Sequence, residues 1–218
     1  MITIGIDEAG RGPLIGPMTI AGIGLDEETA KNFKLLGVKD SKMLSIKRIY
    51  LLEREIIKTC NNFKIIKISA EQIDNRFEDG KNLNYLELDN MIEIANALNG
   101  QTVIVDSPSR NTPKIREYLI KKIRNKEVIA ENYADKNHVE VSAASIIAKA
   151  NREREVEKIK KELGYDFGSG YPSDPKTIQF IKIITDNGNI TQEPYKKFIR
   201  KTWSTVKYTN FNTLNFFN

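Results

Sequence analysis

Cysteine, histidine and tryptophan are each present once in 218 residues. The lone Cys60 excludes an intramolecular disulfide framework and reads as a structural thiol at the end of a helix. The lone His138 excludes a zinc site built on several His or Cys ligands, and with it the two-histidine helix of metalloproteases. His138 itself reads as structural. Any catalytic metal is therefore left to oxygen ligands, which suits Mg²⁺ or Mn²⁺. No run of about 18 apolar residues occurs, so no membrane span is expected. The N-terminus has no basic stretch followed by a long apolar one, so the expected location is cytoplasmic. Internal repeats and low-complexity linkers are absent. An excess of charge is nearly absent too: 34 Lys+Arg against 29 Asp+Glu leave +5, which permits a nucleic-acid partner without implying one. The length and 40% hydrophobic content suffice for one sizeable core with a small appended element.

The chain alternates strand-like and helix-like segments. Ile2-Thr3-Ile4-Gly5-Ile6 reads as a buried strand and Met18 to Gly24 as a second. Pro13, Gly16 and Pro17 between them predict a hairpin. A helix is expected from Ser45 to Thr59, with Ile46, Ile49, Leu52, Ile56 and Ile57 along one side. Phe63 to Ile68 reads as a strand, and Ser69 with Gln72 as a capping box. A helix from Leu83 to Leu98 is followed by the strand Thr102 to Val105, which ends at Asp106. Pro113 opens a helix over 113–124, and Glu127 to Glu131 is the next strand. A long helix follows from Val141 to Leu163, a further one from Asp174-Pro175 to Asp186, and a last one from Glu193 to Trp203. The pattern is α/β, with a mixed sheet flanked by helices.

The first strand runs straight into Asp7-Glu8 and then into Gly10-Arg11-Gly12. Paired negative charge at a buried strand calls for something positive. A divalent metal answers Asp7 and Glu8, and a phosphate answers Arg11 with its neighbouring amides. Asp106 ends another strand, and Asp135 lies a few residues past a third. Alone, Asp106 in Val-Asp-Ser-Pro reads as a turn former and Asp135 as a solvated loop acid. Ligands in such sheets bind beyond the carboxyl ends of strands, so acids far apart in sequence can meet there. Phosphodiester hydrolysis by two metals needs such a set, around ions about 3.5–4 Å apart. Side-chain alternation turns Glu8 to the face opposite Asp7, so it joins only if the strand ends or twists there.

Other residues carry weaker signals. Tyr171, between Gly170 and Pro172, is presented by a turn and can stack on a sugar or base, with core packing as the rival reading. Ser142 and Ser145 stand near the start of the long helix, where free amides bind phosphate. Lys149 and Arg152 share one face of it. Lys196, Lys197, Arg200 and Lys201 read as a phosphate-tracking patch on the last helix.

Taken in order, Gly5-Ile6-Asp7-Glu8-Ala9-Gly10-Arg11-Gly12-Pro13, Asp40-Ser41-Lys42, Val105-Asp106-Ser107-Pro108, Ala134-Asp135, Val141 to Lys149 and Gly168 to Pro175 resemble the motifs of the ribonuclease HII family. The last has the archaeal form. The resemblance implies a ribonuclease H-like core over 1–164 and a C-terminal helical substrate-binding region with a tail over 165–218. It implies endonucleolytic cleavage of RNA/DNA hybrids and of single ribonucleotides in duplex DNA, with two Mg²⁺ or Mn²⁺ ions and 3′-hydroxyl and 5′-phosphate products. A place in ribonucleotide excision repair and DNA replication goes with that activity. It makes Asp7, Glu8, Asp106 and Asp135 the metal-binding catalytic acids. Gly10, Arg11 and Gly12 would feel the ribose 2′-hydroxyl mainly through backbone groups, Tyr171 would sense the junction, and Lys42 would contact the substrate backbone. Ser142 and Lys149 complete the expected substrate contacts.

Three rivals are weighed against this reading. The sister ribonuclease HIII family usually carries an added N-terminal domain, and here the catalytic strand begins at residue 2. A pure nucleic-acid binder gains nothing from four acids facing phosphate. A recombinase of related fold has no use for elements that read a 2′-hydroxyl. A monomer is expected. The Phe216-Phe217 tail resembles a sliding-clamp-binding peptide, with self-packing as its alternative.

Overall fold

The computed structural model describes residues 1–39, 44–78 and 80–206. Lys42 and the Phe216-Phe217 tail, both singled out above, lie outside the described residues. The chain divides into two compact units. The first comprises Met1–Ala9, Thr19–Lys67 and Asn82–Asn151. The second comprises Gly10–Met18, Ile68–Lys81 and the chain from Arg152.

The first unit is built on a mixed sheet of five strands among the described residues, ordered β3-β2-β1-β4-β5. β1 (Ile2–Ala9) and β2 (Met18–Asp26) form the expected hairpin, antiparallel from Ile2 opposite Asp26 to Ala9 opposite Thr19. β4 (Thr102–Asp106) lies parallel to β1, with Ile6 opposite Val105. β5 (Glu127–Glu131) lies parallel to β4 and β3 (Phe63–Ile68) forms the other edge. β1 runs three residues further than the apolar run predicts, so Asp7 and Glu8 lie inside the strand.

The helices cover both faces of this sheet. α4 (Leu83–Ala97) presents Ile94 to Gly22, where an added Cβ would meet Ile94 Cγ2 at 2.3 Å. α7 (Val139–Leu163) begins against β1: a Cβ on Gly5 would lie 2.1 Å from the carbonyl carbon of Glu140. Only glycine permits backbone to approach backbone that closely. Gly5 and Ile6 point to opposite faces, so α7 and α4 lie on opposite sides. Ala143, Ala144, Ile147 and Ala148 of α7 enter a core with Ile23, Phe33, Leu52 and Ile56. α2 (Ile46–Thr59), capped by Ser45, supplies the last two of these. α5 (Thr112–Ile120) carries proline in its first turn as expected but ends four residues early. α1 (Glu27–Leu35) is unforeseen. Strand β2 hands over directly to its cap, Asp26, whose carboxylate accepts from Thr29 N at 2.7 Å.

The second unit packs Leu14, Ile15, Val156, Ile159, Phe167, Phe180 and Ile184 into a separate core. α3 (Ala70–Asn75) opens with the predicted capping box of Ser69 and Gln72, and α8 (Pro175–Asp186) with the predicted Asp174 cap. The helix expected over Glu193–Trp203 does not form. Only a 3-10 turn at Tyr195–Lys197 is present. Its neighbours are claimed by the 14–16 segment instead: Ile199 bridges Ile15, Arg200 N donates to Leu14 O at 2.9 Å, and Gly16 N donates to Phe198 O at 2.8 Å. Among the described residues no helix is long and apolar enough to cross a membrane.

Candidate active site

In the first unit, strand ends set the acids. Asp7 and Asp106 sit level with each other, one residue beyond the Ile6–Val105 pair where the parallel pairing of β1 and β4 ends; Asp106 is the last residue of β4, and Asp7 lies two residues before the end of β1. Asp7 shares the Gly5 face of β1, toward α7, and Ser145 on that helix hydrogen-bonds its carboxyl. Asp7 is 4% exposed. Its pKa is raised well above the ordinary carboxylate value, first by burial, then by the charge of Glu8 and of Asp106. Glu8 therefore joins Asp7 although alternation favours the other face. Its carboxyl shares a hydrogen bond with that of Asp7, and its own backbone N donates to Asp7 Oδ1 at 2.8 Å.

Asp135 is brought toward the end of β4 by a different route. β5 stops at Glu131, and Tyr133 then takes a left-handed conformation (φ 61°, ψ 35°) that starts the short helix α6 (Ala134–Asn137). The turn delivers Ala134 N to Asp106 Oδ1 at 3.2 Å, tying α6 to the end of β4. Asp135 follows, only 1% exposed. Ser142 on α7 donates its hydroxyl to the Asp135 carbonyl. Ser142 thus grips the acid's backbone from a buried position rather than lying open to a phosphate. Lys149 is half-buried further along the same helix. His138 stands 3.0 Å from Glu131 Oε2, a structural pairing that closes α6 onto β5.

The donor set fits a hard divalent cation in kind: oxygen ligands alone, and carboxylates whose mutual repulsion already disfavours the ionised form of Asp7. Among the described residues, no three His, Cys, Asp or Glu side chains are drawn together closely enough to hold an ion as they stand.

In the second unit, the Gly10-Arg11-Gly12 turn and Tyr171 belong to one hydrogen-bonded assembly. Leu14 N donates to Gly170 O at 2.7 Å. The Gly-Ser-Gly loop is tied to the start of α8 by Ser169 N on Asp174 Oδ2 (2.7 Å) and by Gly170 N on Thr177 Oγ1 (3.0 Å). Tyr171 is half-buried, and a Cβ on Gly12 would meet its ring edge at 3.8 Å. Beneath the ring lies the Arg152 guanidinium, 4.9 Å from its centroid, which also donates to Ser169 O at 2.5 Å. Tyr171 is therefore presented at the turn and not submerged in the core.

Sequence reasoning misplaced one cation here. Arg200, read as part of a phosphate-tracking patch, is fully buried and donates to the carbonyls of Gly10, Arg11 and Gly16. Burial, and next the charge of Arg152, pushes its pKa down to about 9, so it stays charged at neutral pH. Lys197 and Lys196 are engaged with Glu162 and Glu193. Tyr133 and Ser145 were also missed as parts of the acid cluster, since neither a left-handed backbone nor a hydroxyl aimed at Asp7 leaves a mark in the residue pattern.

Comparison with known proteins identifies the family and the fold. The family model described as Ribonuclease HII matches residues 4–206. Ribonuclease HII of Methanococcus maripaludis is 42% identical over 213 residues, covering 94% of this chain and 86% of the relative. The crystal structure of ribonuclease H2 from Pyrococcus horikoshii superposes with a TM-score of 0.87 at 34% identity, covering 98% of this chain and 99% of that one. A ribonuclease HII from Archaeoglobus fulgidus, solved as a complex with PCNA, superposes with a TM-score of 0.84 at 38% identity, covering 94% and 96%. The chain belongs to the ribonuclease HII family and is a ribonuclease H, a metal-dependent hydrolase with the ribonuclease H-like fold.

Proposed function

We propose that this ribonuclease cleaves the phosphodiester on the 5′ side of ribonucleotides in RNA/DNA hybrids, and of single ribonucleotides embedded in duplex DNA. The products carry 3′-hydroxyl and 5′-phosphate ends. The observation that carries the reading is the level placement of Asp7 and Asp106 on neighbouring parallel strands with Glu8 beside them, where burial first and then the charges of Glu8 and Asp106 hold the Asp7 pKa above its ordinary value. Such a cluster opposes phosphate unless cations intervene.

Asp7, Glu8, Asp106 and Asp135 would hold two Mg²⁺ or Mn²⁺ ions, which supply a nucleophile from bound water and stabilise the leaving oxyanion. The chain's own part is to fix those acids. Strand register levels Asp7 with Asp106, Ser145 orients the Asp7 carboxyl, and Ser142 and the Tyr133 turn set Asp135. Gly10, Arg11 and Gly12 read the ribose through backbone amides, and Tyr171 senses the RNA–DNA junction, stiffened by Arg152 under its ring. Lys42 and Lys149 contact the substrate backbone, and the region over 165–218 serves as the substrate-binding part. The protein acts as a cytoplasmic monomer in ribonucleotide excision repair and replication. The PCNA complex of the Archaeoglobus relative supports a sliding clamp as partner of the Phe216-Phe217 tail.

The test is to incubate the protein with duplex DNA holding one ribonucleotide and to map the cut with Mg²⁺, Mn²⁺ or chelator. A single metal-dependent cut 5′ of the ribonucleotide is expected. Cleavage that persists in chelator, or cuts at DNA positions, overturns the reading.

A further inference from the structure

We propose that Arg200 is a positioning residue for ribose recognition, holding the carbonyls of Gly10 and Arg11 inward so that the amides of Arg11 and Gly12 face the substrate. This rests on the reading of the Gly-Arg-Gly turn as the ribose contact.

The guanidinium fork of Arg200 is committed to backbone. Nη2 donates to Gly10 O at 2.6 Å, Nη1 to Arg11 O at 2.7 Å and Nε to Gly16 O at 3.0 Å. These are charge-assisted bonds, stronger than those between neutral groups. The arginine has little room to swing. Its own N–H is held by Leu14 O, Ile199 before it bridges Ile15, and the Trp203 ring lies 5.1 Å from the guanidinium carbon. With all three nitrogens bonded to carbonyls and the side chain fully buried, it offers no surface to a phosphate.

The consequence follows from peptide geometry. In a planar trans peptide the N–H points opposite to the carbonyl of the preceding residue. Drawing Gly10 O and Arg11 O onto a buried cation therefore turns the N–H groups of Arg11 and Gly12 outward. Gly10 makes this possible with φ +82°, where a Cβ would also strike Pro17 O at 2.8 Å. Gly12 is exposed, with the Tyr171 ring edge beside it. Two outward amide donors next to a tyrosine suit an oxygen acceptor on a sugar. A ribose 2′-hydroxyl supplies one and a deoxyribose does not. Lysine cannot replace arginine here, because its ammonium has no planar fork to meet three carbonyls at once.

The experiment compares wild type with Arg200→Lys and Arg200→Gln in the full chain. The readout is the affinity for a DNA duplex carrying one ribonucleotide divided by that for the same all-DNA duplex, measured by fluorescence anisotropy without divalent cation. An unfolded fraction lowers both affinities alike, so the ratio isolates positioning from folding. Both variants are expected to lose on the order of tenfold in the ratio, with all-DNA affinity per folded molecule unchanged. With Mg²⁺, KM for the single-ribonucleotide duplex should rise more than kcat falls. As a measurement that needs no variant, the amide ¹H–¹⁵N signals of Arg11 and Gly12 in wild type should move on adding the ribonucleotide duplex and stay put with the all-DNA one. A wild-type preference that Arg200→Lys keeps, or equal amide responses to both duplexes, overturns the proposal. A wild type with no preference at all overturns the functional reading beneath it.

Discussion

Asp7 of β1 and Asp106, the last residue of β4, stand level one residue past the last pair of the two parallel strands, and the charge of Asp106 adds to burial and Glu8 in keeping the Asp7 carboxyl above its ordinary pKa. Two residues 99 apart in sequence are thereby made into one electrostatic unit by strand register alone.

Asp7→Asn keeps the shape of the side chain and removes one charge from that unit. Cleavage of an RNA/DNA hybrid should fall by more than about 100-fold, roughly 2.7 kcal/mol of barrier, with hybrid binding and thermal stability retained. Single-turnover cleavage and anisotropy on the same preparation check this.

The raised pKa of Asp7 also fixes the sign of a pH effect. The folded state binds this proton more tightly than the unfolded chain, whose aspartate titrates near about 3.9. Stability without metal should therefore fall as pH rises from that value through the folded pKa of Asp7. Mg²⁺ favours the ionised carboxylates, so it should raise Tm more at pH 7.5 than at pH 4.5. In Asp7→Asn the metal-induced rise should shrink, and metal-free Tm at neutral pH should be no lower than in wild type. Differential scanning fluorimetry across pH, with and without Mg²⁺, reads all of these.

Tyr133 is 61% exposed and left-handed, a conformation that costs a non-glycine residue about 1–2 kcal/mol. Tyr133→Gly should raise Tm, at about 2–4 °C per kcal/mol for a chain of this size. The stacking of Lys136, 5.3 Å over the ring, is lost and offsets part of the gain. A lower Tm would show that the tyrosine ring, and not the turn, holds α6 in place.

Tyr171 lies against Gly12 with Arg152 beneath it. Tyr171→Ala should reduce kcat/KM on a lone ribonucleotide several-fold more than on a long hybrid, where many registers compensate for one lost contact. Equal losses on both substrates would remove its junction-sensing role. Tyr171→Phe then separates the hydroxyl from the ring.

The acids were legible because chemistry and strand ends coincide in the sequence. Apolar runs stop at Asp7 and Asp106, and the helix caps at Ser69 and Asp174 announce themselves by residue type. What stayed hidden depends on packing between distant segments. Arg200 sits in a run of lysines and looks like surface, yet the 14–16 segment captures its backbone and the carbonyls of the turn capture its fork. The same capture removed the expected last helix. α1 was missed because its cap, Asp26, is also the last residue of β2, leaving no turn between strand and helix. The meeting of Glu8 with Asp7 depends on local strand shape that an alternating pattern cannot express.

In the proposed mechanism Asp7, Glu8, Asp106 and Asp135 grip divalent cations together. Anomalous diffraction from a crystal of the wild-type protein with Mn²⁺ and a non-cleavable hybrid tests that directly. It should show metal bound by Asp7 and Asp106 with oxygen distances of about 2.1 Å, and Glu8 and Asp135 completing the site. Metal found only elsewhere, or coordinated without Asp7, would contradict the account.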